Sequence, residues 1–337
     1  METPYLVAEL SGNHQGSLQN VLDLMLECKL SGFNAFKLQT FTPDEMTIES
    51  NLKEYVVEVG PWNKVTLFDL YSKSMLPISW LPKIFEYGKS IGIHVFSSPF
   101  GLKSLDVLLS YDVPVIKIAS FELTFNGLLS EIGKTKIPTI LSTGMASVNE
   151  IESAIETLIS NGCPSIALLK CTTTYPAIAD QLNLSTILDM KEKFKVPIGF
   201  SDHSLGIYAA ISASAIGADI IEKHVKLDND HTSTDSSFSL PVSEFRNFVE
   251  GIKFAYKAKG SVHYGPMGEE TKYLRYRRSV VASRRLRAGE EITDKDVVVV
   301  RPNIGADPQD IEKIIGKKLI YDKEKGSGIY VSDVVVK

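Results

Sequence analysis

A (β/α)8 TIM barrel followed by a small, β-rich domain is the fold this sequence predicts, and three observations predict it. Short β-branched runs, apolar on both faces, alternate with longer amphipathic stretches about eight times over roughly the first 260 residues. Helical stretches end on Gly32, Gly92, Gly162 and Gly217, where a left-handed cap favours glycine. After Gly260 this rhythm gives way to short strands separated by turns. A doubly wound open sheet is the alternative, disfavoured because no G-x-G-x-x-G follows the first strand.

Taken in order, the predicted strands are Tyr5–Leu10, Ala35–Leu38, His94–Ser97, Val115–Ile118, Thr139–Ser142, Ile166–Leu169, Ile198–Phe200 and Ile220–Glu222. Their two-sided apolarity suits parallel strands covered by helices. Leu18–Ser31, Leu81–Ile91, Ser147–Asn161 and Gly206–Ile216 carry the helical spacing. Residues 1–262 are read as the barrel domain, 263–277 as a linker and 278–337 as the small domain. The Gly-, Pro- and charge-rich stretch Ser261–Tyr276 marks the joint. Beyond it, Ser279–Ser283, Val297–Val300, Lys318–Tyr321 and Ile329–Val331 read as strands. Arg287-Ala288-Gly289-Glu290 and Asp322-Lys323-Glu324-Lys325-Gly326 read as turns.

Composition narrows the function. The formal net charge is −5 over 337 residues, which gives no support for nucleic acid as a partner. No apolar run approaches the roughly 20 residues needed to span a bilayer. Met1-Glu2-Thr3-Pro4 lacks a signal peptide's basic and apolar regions. Cys28, Cys163 and Cys171 have no metal-binding spacing and cannot all pair, which suits a reducing, cytoplasmic setting.

Barrel active sites lie at the C-terminal ends of the strands, so the residues there carry the functional reading. In strand order they are Glu9, Asn13 and His14; Lys37, Gln39 and Thr40; Ser97, Ser98 and Pro99; Lys117, Ser120 and Glu122; Ser142, Thr143 and Gly144; Lys170, Thr172, Thr173 and Tyr175; Ser201, Asp202 and His203; Glu222, Lys223 and His224. Lysines with hydroxyls and backbone N–H groups suit a phosphate or carboxylate. His203 and His224, delivered just past two successive strands, suit one divalent metal. With only two imidazoles the site stays open, as a catalytic Mn2+ prefers, rather than closed like a structural zinc.

Each residue also has a plainer reading. His14, His94 and His263 are read as surface or capping groups. Lys37 and Lys117 follow apolar residues within strands, which favours burial at the rim over solvation. Lys223 is assigned to the helix layer as a structural residue. Ser97 and Ser98 could simply bond the turn before Pro99. Arg275, Arg277, Arg278, Arg284, Arg285 and Arg287 form a solvated face, with an anionic partner as the sharper alternative.

The same residues give a family resemblance. The chain resembles the sialic acid synthases, and within them their pseudaminic branch. The likeness runs through Ala8-Glu9-Leu10-Ser11-Gly12-Asn13-His14, Lys37-Leu38-Gln39-Thr40, Ser97-Ser98-Pro99-Phe100, Lys117-Ile118-Ala119-Ser120-Phe121-Glu122, Ser142-Thr143-Gly144, Lys170-Cys171-Thr172-Thr173-Thr174-Tyr175-Pro176, Ser201-Asp202-His203-Ser204, Glu222-Lys223-His224 and Arg301-Pro302. It implies a barrel with a C-terminal antifreeze-like (SAF) domain, in a domain-swapped homodimer. It also implies condensation of phosphoenolpyruvate with an open-chain amino sugar, giving a nine-carbon 2-keto acid and phosphate by C–O cleavage.

By that resemblance His203 and His224 hold the metal, Mn2+ first, with Mg2+ or Co2+ as alternatives. Lys37, Ser98, Lys117, Ser120, Ser142, Thr173 and Ser201 meet phosphoenolpyruvate. Gln39, Glu122, Tyr175 and Asp235 lie near the sugar, and Glu9 transfers a proton. Arg301 reaches the partner's site. Lys170-Cys171-Thr172-Thr173 replaces the His-Cys-Thr-Asn common in N-acetylneuraminate synthases, putting a hydroxyl where an amide reaches the ligand. That departure, with Gly60-Pro61-Trp62-Asn63-Lys64, points to 2,4-diacetamido-2,4,6-trideoxy-altrose as the sugar. N-acetylneuraminate or legionaminic acid synthesis by the same chemistry is the alternative. A non-catalytic glycan-binding protein is the alternative of a different class.

Overall fold

The computed structural model describes residues 3–335. The chain forms two compact units, Met1–Gly260 and Ser261–Lys337. In the first, eight parallel strands follow one another among the described residues: β1 (Tyr5–Glu9), β2 (Ala35–Thr40), β3 (His94–Pro99), β4 (Ile116–Ile118), β5 (Thr139–Ser142), β6 (Ile166–Cys171), β7 (Ile198–Asp202) and β8 (Ile220–Lys226). Each pairs with its successor, and β8 returns to β1 from Tyr5↔Ile220 to Glu9↔His224. That last pairing closes the sheet into a barrel and excludes the open alternative. A short strand, β9 (Leu240–Pro241), extends β8.

Local chemistry sets the helix ends. Ser17 accepts the Asn20 N–H at the start of Leu18–Ser31, and Gly32, at φ 99°, returns its N–H to the Cys28 and Lys29 carbonyls. Ser147 and Glu150 form a reciprocal capping box before Val148–Ser160. Apolar helix faces then close over the outside of the sheet. Phe33 stacks on Phe248 at 5.6 Å, and the main core runs from Leu6 and Phe36 through Phe200 to Ile252. Burying each large side chain contributes about 1.5–3 kcal/mol.

Alternation sorts the inside of the barrel. Val7, Ala35, Phe96, Ile140, Ala167, Leu169 and Ile220 form a separate inner core, with Tyr5 and Val115 against it. Two residues further along each strand, on the same face, come Glu9, Lys37, Ser98, Lys117, Ser142, Cys171 and Glu222, and these line a cavity. An apolar plug therefore supports a polar floor. On β7 this stacking requires Gly199, where a Cβ would sit 2.6 Å from Leu169 Cδ2.

The strands run further than apolarity indicated. β2, β3, β6, β7 and β8 continue through the polar residues at their tips, because pairing does not depend on side-chain polarity. His224 accordingly lies within β8 rather than past its end, held by pairing to β1 and the neighbouring β8–β9 ladder. The excursion after β2 holds helices Pro43–Met46 and Leu67–Ser74. Among the described residues, no helix is long and apolar enough to cross a membrane.

In the second unit β10 (Ser279–Ala282) and β11 (Val297–Val300) pair antiparallel over a core of Val280, Leu286, Ile292, Ile314, Leu319 and Ile329. The expected strands Lys318–Tyr321 and Ile329–Val331 are corrected. They reduce to single bridges, Glu291↔Lys318, Leu319↔Val334 and Val281↔Gly328, followed by a 3-10 turn at Val331–Asp333. Left-handed turns at Gly316 and Gly326 stop the ladders after one pair. Within the expected linker, Gly268–Tyr276 is a run of 3-10 turns, opened by the Glu270 carboxylate accepting the Met267 N–H at 3.1 Å.

Candidate active site

The polar floor opens into a cavity of about 950 Å3. Every residue given a role by the family resemblance except Arg301 lines it, whereas the strand-tip residues Asn13, His14, Thr40, Ser97, Thr143, Gly144, Lys170 and Thr172 do not. Arg301 is exposed in the second unit, in an open cleft with Tyr273, Tyr276, Arg277 and Arg278.

Two lysines and two carboxylates alternate across the floor. Lys37 Nζ lies 2.6 Å from Glu9 Oε2 and 3.7 Å from Glu222 Oε1. Lys117 Nζ lies 3.9 Å from Glu222 Oε1 and donates to Ser142 Oγ at 2.7 Å. Both ammonium groups are almost fully buried. Burial pulls Lys37 down, but Glu222 and Glu9 outweigh it and hold the amine charged. At Lys117 burial wins, and its amine is held below the ordinary value. Burial likewise pushes the Glu9 carboxyl up, with Lys37 opposing it. Burial also acts on Glu222, but Lys117 and Lys37 prevail and keep it ionised.

Hydroxyls ring these charges. Ser98 Oγ accepts from Lys37 at 3.4 Å, Ser201 Oγ donates to Glu222 at 3.1 Å, and Ser120 Oγ accepts the Gly144 N–H at 3.1 Å. On one flank Gln39 Nε2 donates to Glu9 Oε1 at 3.0 Å and to Ser11 Oγ at 3.1 Å. Ser11 in turn donates to Asp235. Together these groups can hold an anion bearing both a carboxylate and a phosphate.

The histidines stand beside this group, their ring centres 5.2 Å apart and His224 Nδ1 3.7 Å from Asp235 Oδ2. Tyr175 packs 4.4 Å from the His203 ring and Phe238 packs 5.2 Å from the His224 ring. His203 Nδ1 lies 3.0 Å from the Thr172 carbonyl, which can only accept, so Nδ1 carries the proton and Nε2 keeps its lone pair. His224 Nδ1 is buried without a hydrogen-bond partner. Burial, with the nearby ammonium groups of Lys37, Lys223 and Lys117, holds His224 well below its ordinary value, so it is neutral. Two buried imidazoles with free nitrogens fit a divalent ion. No group of three or more His, Cys, Asp and Glu side chains able to hold a metal occurs among the described residues. The remaining ligands would thus be oxygens from water or substrate.

Burial also pushes the Glu122 carboxyl up to about 7, with its own backbone N–H and Lys117 opposing. Its Oε2 is buried and unpartnered. Below about pH 7 this carboxyl is neutral and can donate a hydrogen bond to a sugar oxygen; above it that donor is lost. The expected kcat/KM therefore falls as pH rises through about 7, while Glu122→Gln, always neutral, loses that limb. Parallel pH–rate profiles check this, and an unchanged limb in the variant assigns the titration elsewhere.

Some contributors went unassigned in the sequence. Glu222 and His224 are two apart on one strand, so alternation alone places Glu222 in the cavity beside the histidine. Cys171 occupies the equivalent place on β6, and its Sγ lies 3.8 Å from His203 Nδ1. Burial raises that thiol, but His203 outweighs it and brings it to about 7. Of the apolar wall formed by Phe41, Val57, Trp62, Leu67, Leu70 and Tyr71, only Trp62, within Gly60–Lys64, had a sequence signal; the rest comes from the excursion after β2, which lies outside the strand–helix rhythm. His14, read as a surface or capping group, is buried; its Nδ1 accepts the Gly16 N–H at 3.0 Å and its ring meets Trp80. Arg284 and Arg285 are paired with acidic neighbours on the second unit's surface.

A closed parallel barrel with lysines, carboxylates and paired imidazoles at its strand tips defines a barrel enzyme acting on an anionic substrate. The chain belongs to the NeuB family, the sialic-acid-type synthases: residues 24–264 match that family and residues 277–335 match the SAF domain. It is 38% identical over 332 residues to the pseudaminic acid synthase of Campylobacter jejuni, covering 98% of this chain and 96% of that one. It is 32% identical to the N,N'-diacetyllegionaminic acid synthase of Legionella pneumophila, over 96% of this chain and 93% of the relative. Among solved structures, N-acetylneuraminic acid synthetase from Leptospira borgpetersenii, in complex with citrate, aligns with a TM-score of 0.71 at 29% identity, covering 81% of this chain and 91% of that one. Family membership removes the non-catalytic glycan-binding alternative.

Proposed function

We propose that this enzyme condenses phosphoenolpyruvate with 2,4-diacetamido-2,4,6-trideoxy-altrose to give pseudaminic acid and phosphate. One observation carries the reading: a lysine- and serine-lined anion floor and two free imidazoles share one cavity. Lys37, Lys117, Ser98, Ser120, Ser142, Thr173 and Ser201 would hold the carboxylate and phosphate. Gln39, Glu122, Tyr175 and Asp235 would hold the sugar with its aldehyde over the floor. C3 of phosphoenolpyruvate attacks the aldehyde carbon, making the new C–C bond. Water then adds at C2, giving up a proton that Glu9 would take, and phosphate leaves by C–O cleavage. His203 and His224 would hold a divalent ion, Mn2+ in the first instance, which when bound supplies Lewis-acid polarisation of the aldehyde oxygen.

Two observations support this sugar. Identity is higher to the pseudaminic acid synthase than to the legionaminic enzyme. The wall of Phe41, Val57, Trp62, Leu67, Leu70 and Tyr71 suits a 6-deoxy sugar with two acetamido methyls, a pattern the legionaminic precursor shares, better than N-acetylmannosamine with its 6-hydroxyl. The test is phosphate release with Mn2+ and each of three sugars in turn. The 6-deoxy altrose derivative is expected to give a kcat/KM at least about tenfold above N-acetylmannosamine, since an unpartnered hydroxyl in an apolar pocket costs about 1–3 kcal/mol; the legionaminic precursor is a 6-deoxy stereoisomer without that hydroxyl, and the higher kcat/KM of the two decides between them. A different winner would reassign the substrate; no turnover with any would end the proposal.

We also propose a homodimer in which each small domain lends Arg301 to its partner's barrel. Exposed apolar side chains on the segments after β4 to β7, including Phe121, Phe125, Met145, Ile178, Leu205 and Tyr208, suit such a cover.

A further inference from the structure

Behind the two histidines lies a buried ion pair that takes no part in the chemistry above. Asp202 and Lys223 are direct partners across β7 and β8. Their neighbours Ser201 and Glu222 face the cavity, and so do His203 and His224; Asp202 and Lys223 do not line it. Both side chains are 0% exposed, with Lys223 Nζ 2.9 Å from Asp202 Oδ2. Lys223 also donates to the Ser204 carbonyl. Asp202 Oδ1 accepts the Ser204 N–H at 2.8 Å and its Oγ–H at 2.7 Å. These bonds join the residues before and after His203 to the residue before His224.

Stability does not explain such a pair. Removing two charges from water costs several kcal/mol per ion, and apolar replacements of similar volume are often as stable. Position does explain it. His203 follows β7, at a chain turn, where its backbone is held by the Asp202–Ser204 bonds and by its carbonyl accepting the Ala177 N–H at 2.9 Å. His224 Nδ1 makes no hydrogen bond, Asp235 Oδ2 lying 3.7 Å away, so its ring is placed by packing against Phe238 and His203 and by where β8 is held.

We propose that Asp202 and Lys223 are positioning residues for the metal site. The pair pins the end of β7 to β8 from outside the cavity, and so fixes the separation of the two imidazoles. The inference rests on the metal reading given above.

The test is Mn2+ titration of the full chain followed by electron paramagnetic resonance, with circular dichroism and melting measured alongside. The double variant Asp202→Leu/Lys223→Met removes both charges, so neither is left buried alone. It is expected to keep the wild-type spectrum and a near wild-type Tm while its Mn2+ dissociation constant rises about 10–100-fold, the usual effect of losing a ligand's supporting contacts. A double variant that binds within about twofold of wild type overturns the proposal. If it fails to fold, Ser204→Ala takes its place, losing one donor to Asp202; about threefold weaker binding is expected and unchanged binding overturns. A wild-type chain that binds no Mn2+, or binds it as His203→Ala does, defeats the metal reading itself, and that failure is visible without either positioning variant.

Discussion

His203→Ala is expected to lower turnover by about a thousandfold, near 4 kcal/mol of transition-state stabilisation, and to abolish Mn2+ binding in the same preparation. The size of the effect follows from the geometry. With its Nδ1–H on the Thr172 carbonyl, His203 offers Nε2, and His224 is the other imidazole in the cavity. No third His, Cys, Asp or Glu completes a ligand set among the described residues. An ion that loses one of two protein ligands has little to hold it. Phosphate release and metal titration on one sample check this, and a rate equal to wild type refutes the ligand role. The aldehyde would then need another source of polarisation.

The second large effect concerns Arg301. Arg301→Ala alone is expected to cost about 2–4 kcal/mol, roughly 30- to 1,000-fold in turnover, because a charged partner of the substrate would be lost. Mixing this variant with His203→Ala distinguishes how the arginine is delivered. If it comes from the partner, each mixed dimer regains one intact site of two. Random exchange at equal amounts then restores about a quarter of wild-type activity. No recovery after confirmed exchange places Arg301 in its own subunit's site or outside catalysis.

The barrel was legible because each of its determinants is local. Two-sided apolar runs give buried parallel strands, and Gly32 and Gly92 end helices as read. The polar strand tips gave the cavity floor for the same reason, since alternation converts sequence spacing into direction. Legibility failed where structure depends on distant contacts. Trp62 enters the cavity wall because its indole N–H reaches the Thr234 carbonyl, 172 positions away. The single bridges of the second unit depend on which turn meets which, and no periodicity encodes that. Lys223 was correctly removed from the cavity by alternation, but its bond to Asp202 needed the cross-strand register.

The apolar plug beneath the polar floor makes the catalytic residues depend on odd and even numbering. On β2, the odd residues 35, 37 and 39 face the barrel axis; on β8, the even residues 220, 222 and 224 do. A point substitution changes one tip and leaves this parity alone. A single-residue insertion or deletion within a strand inverts it downstream, sending a lysine or imidazole outward and a leucine inward. Length changes are accommodated beyond the tips, as in the excursion after β2 that builds the apolar wall. Variation in substrate among barrels of this kind should therefore accumulate as loop-length changes outside the strands and as substitutions within them.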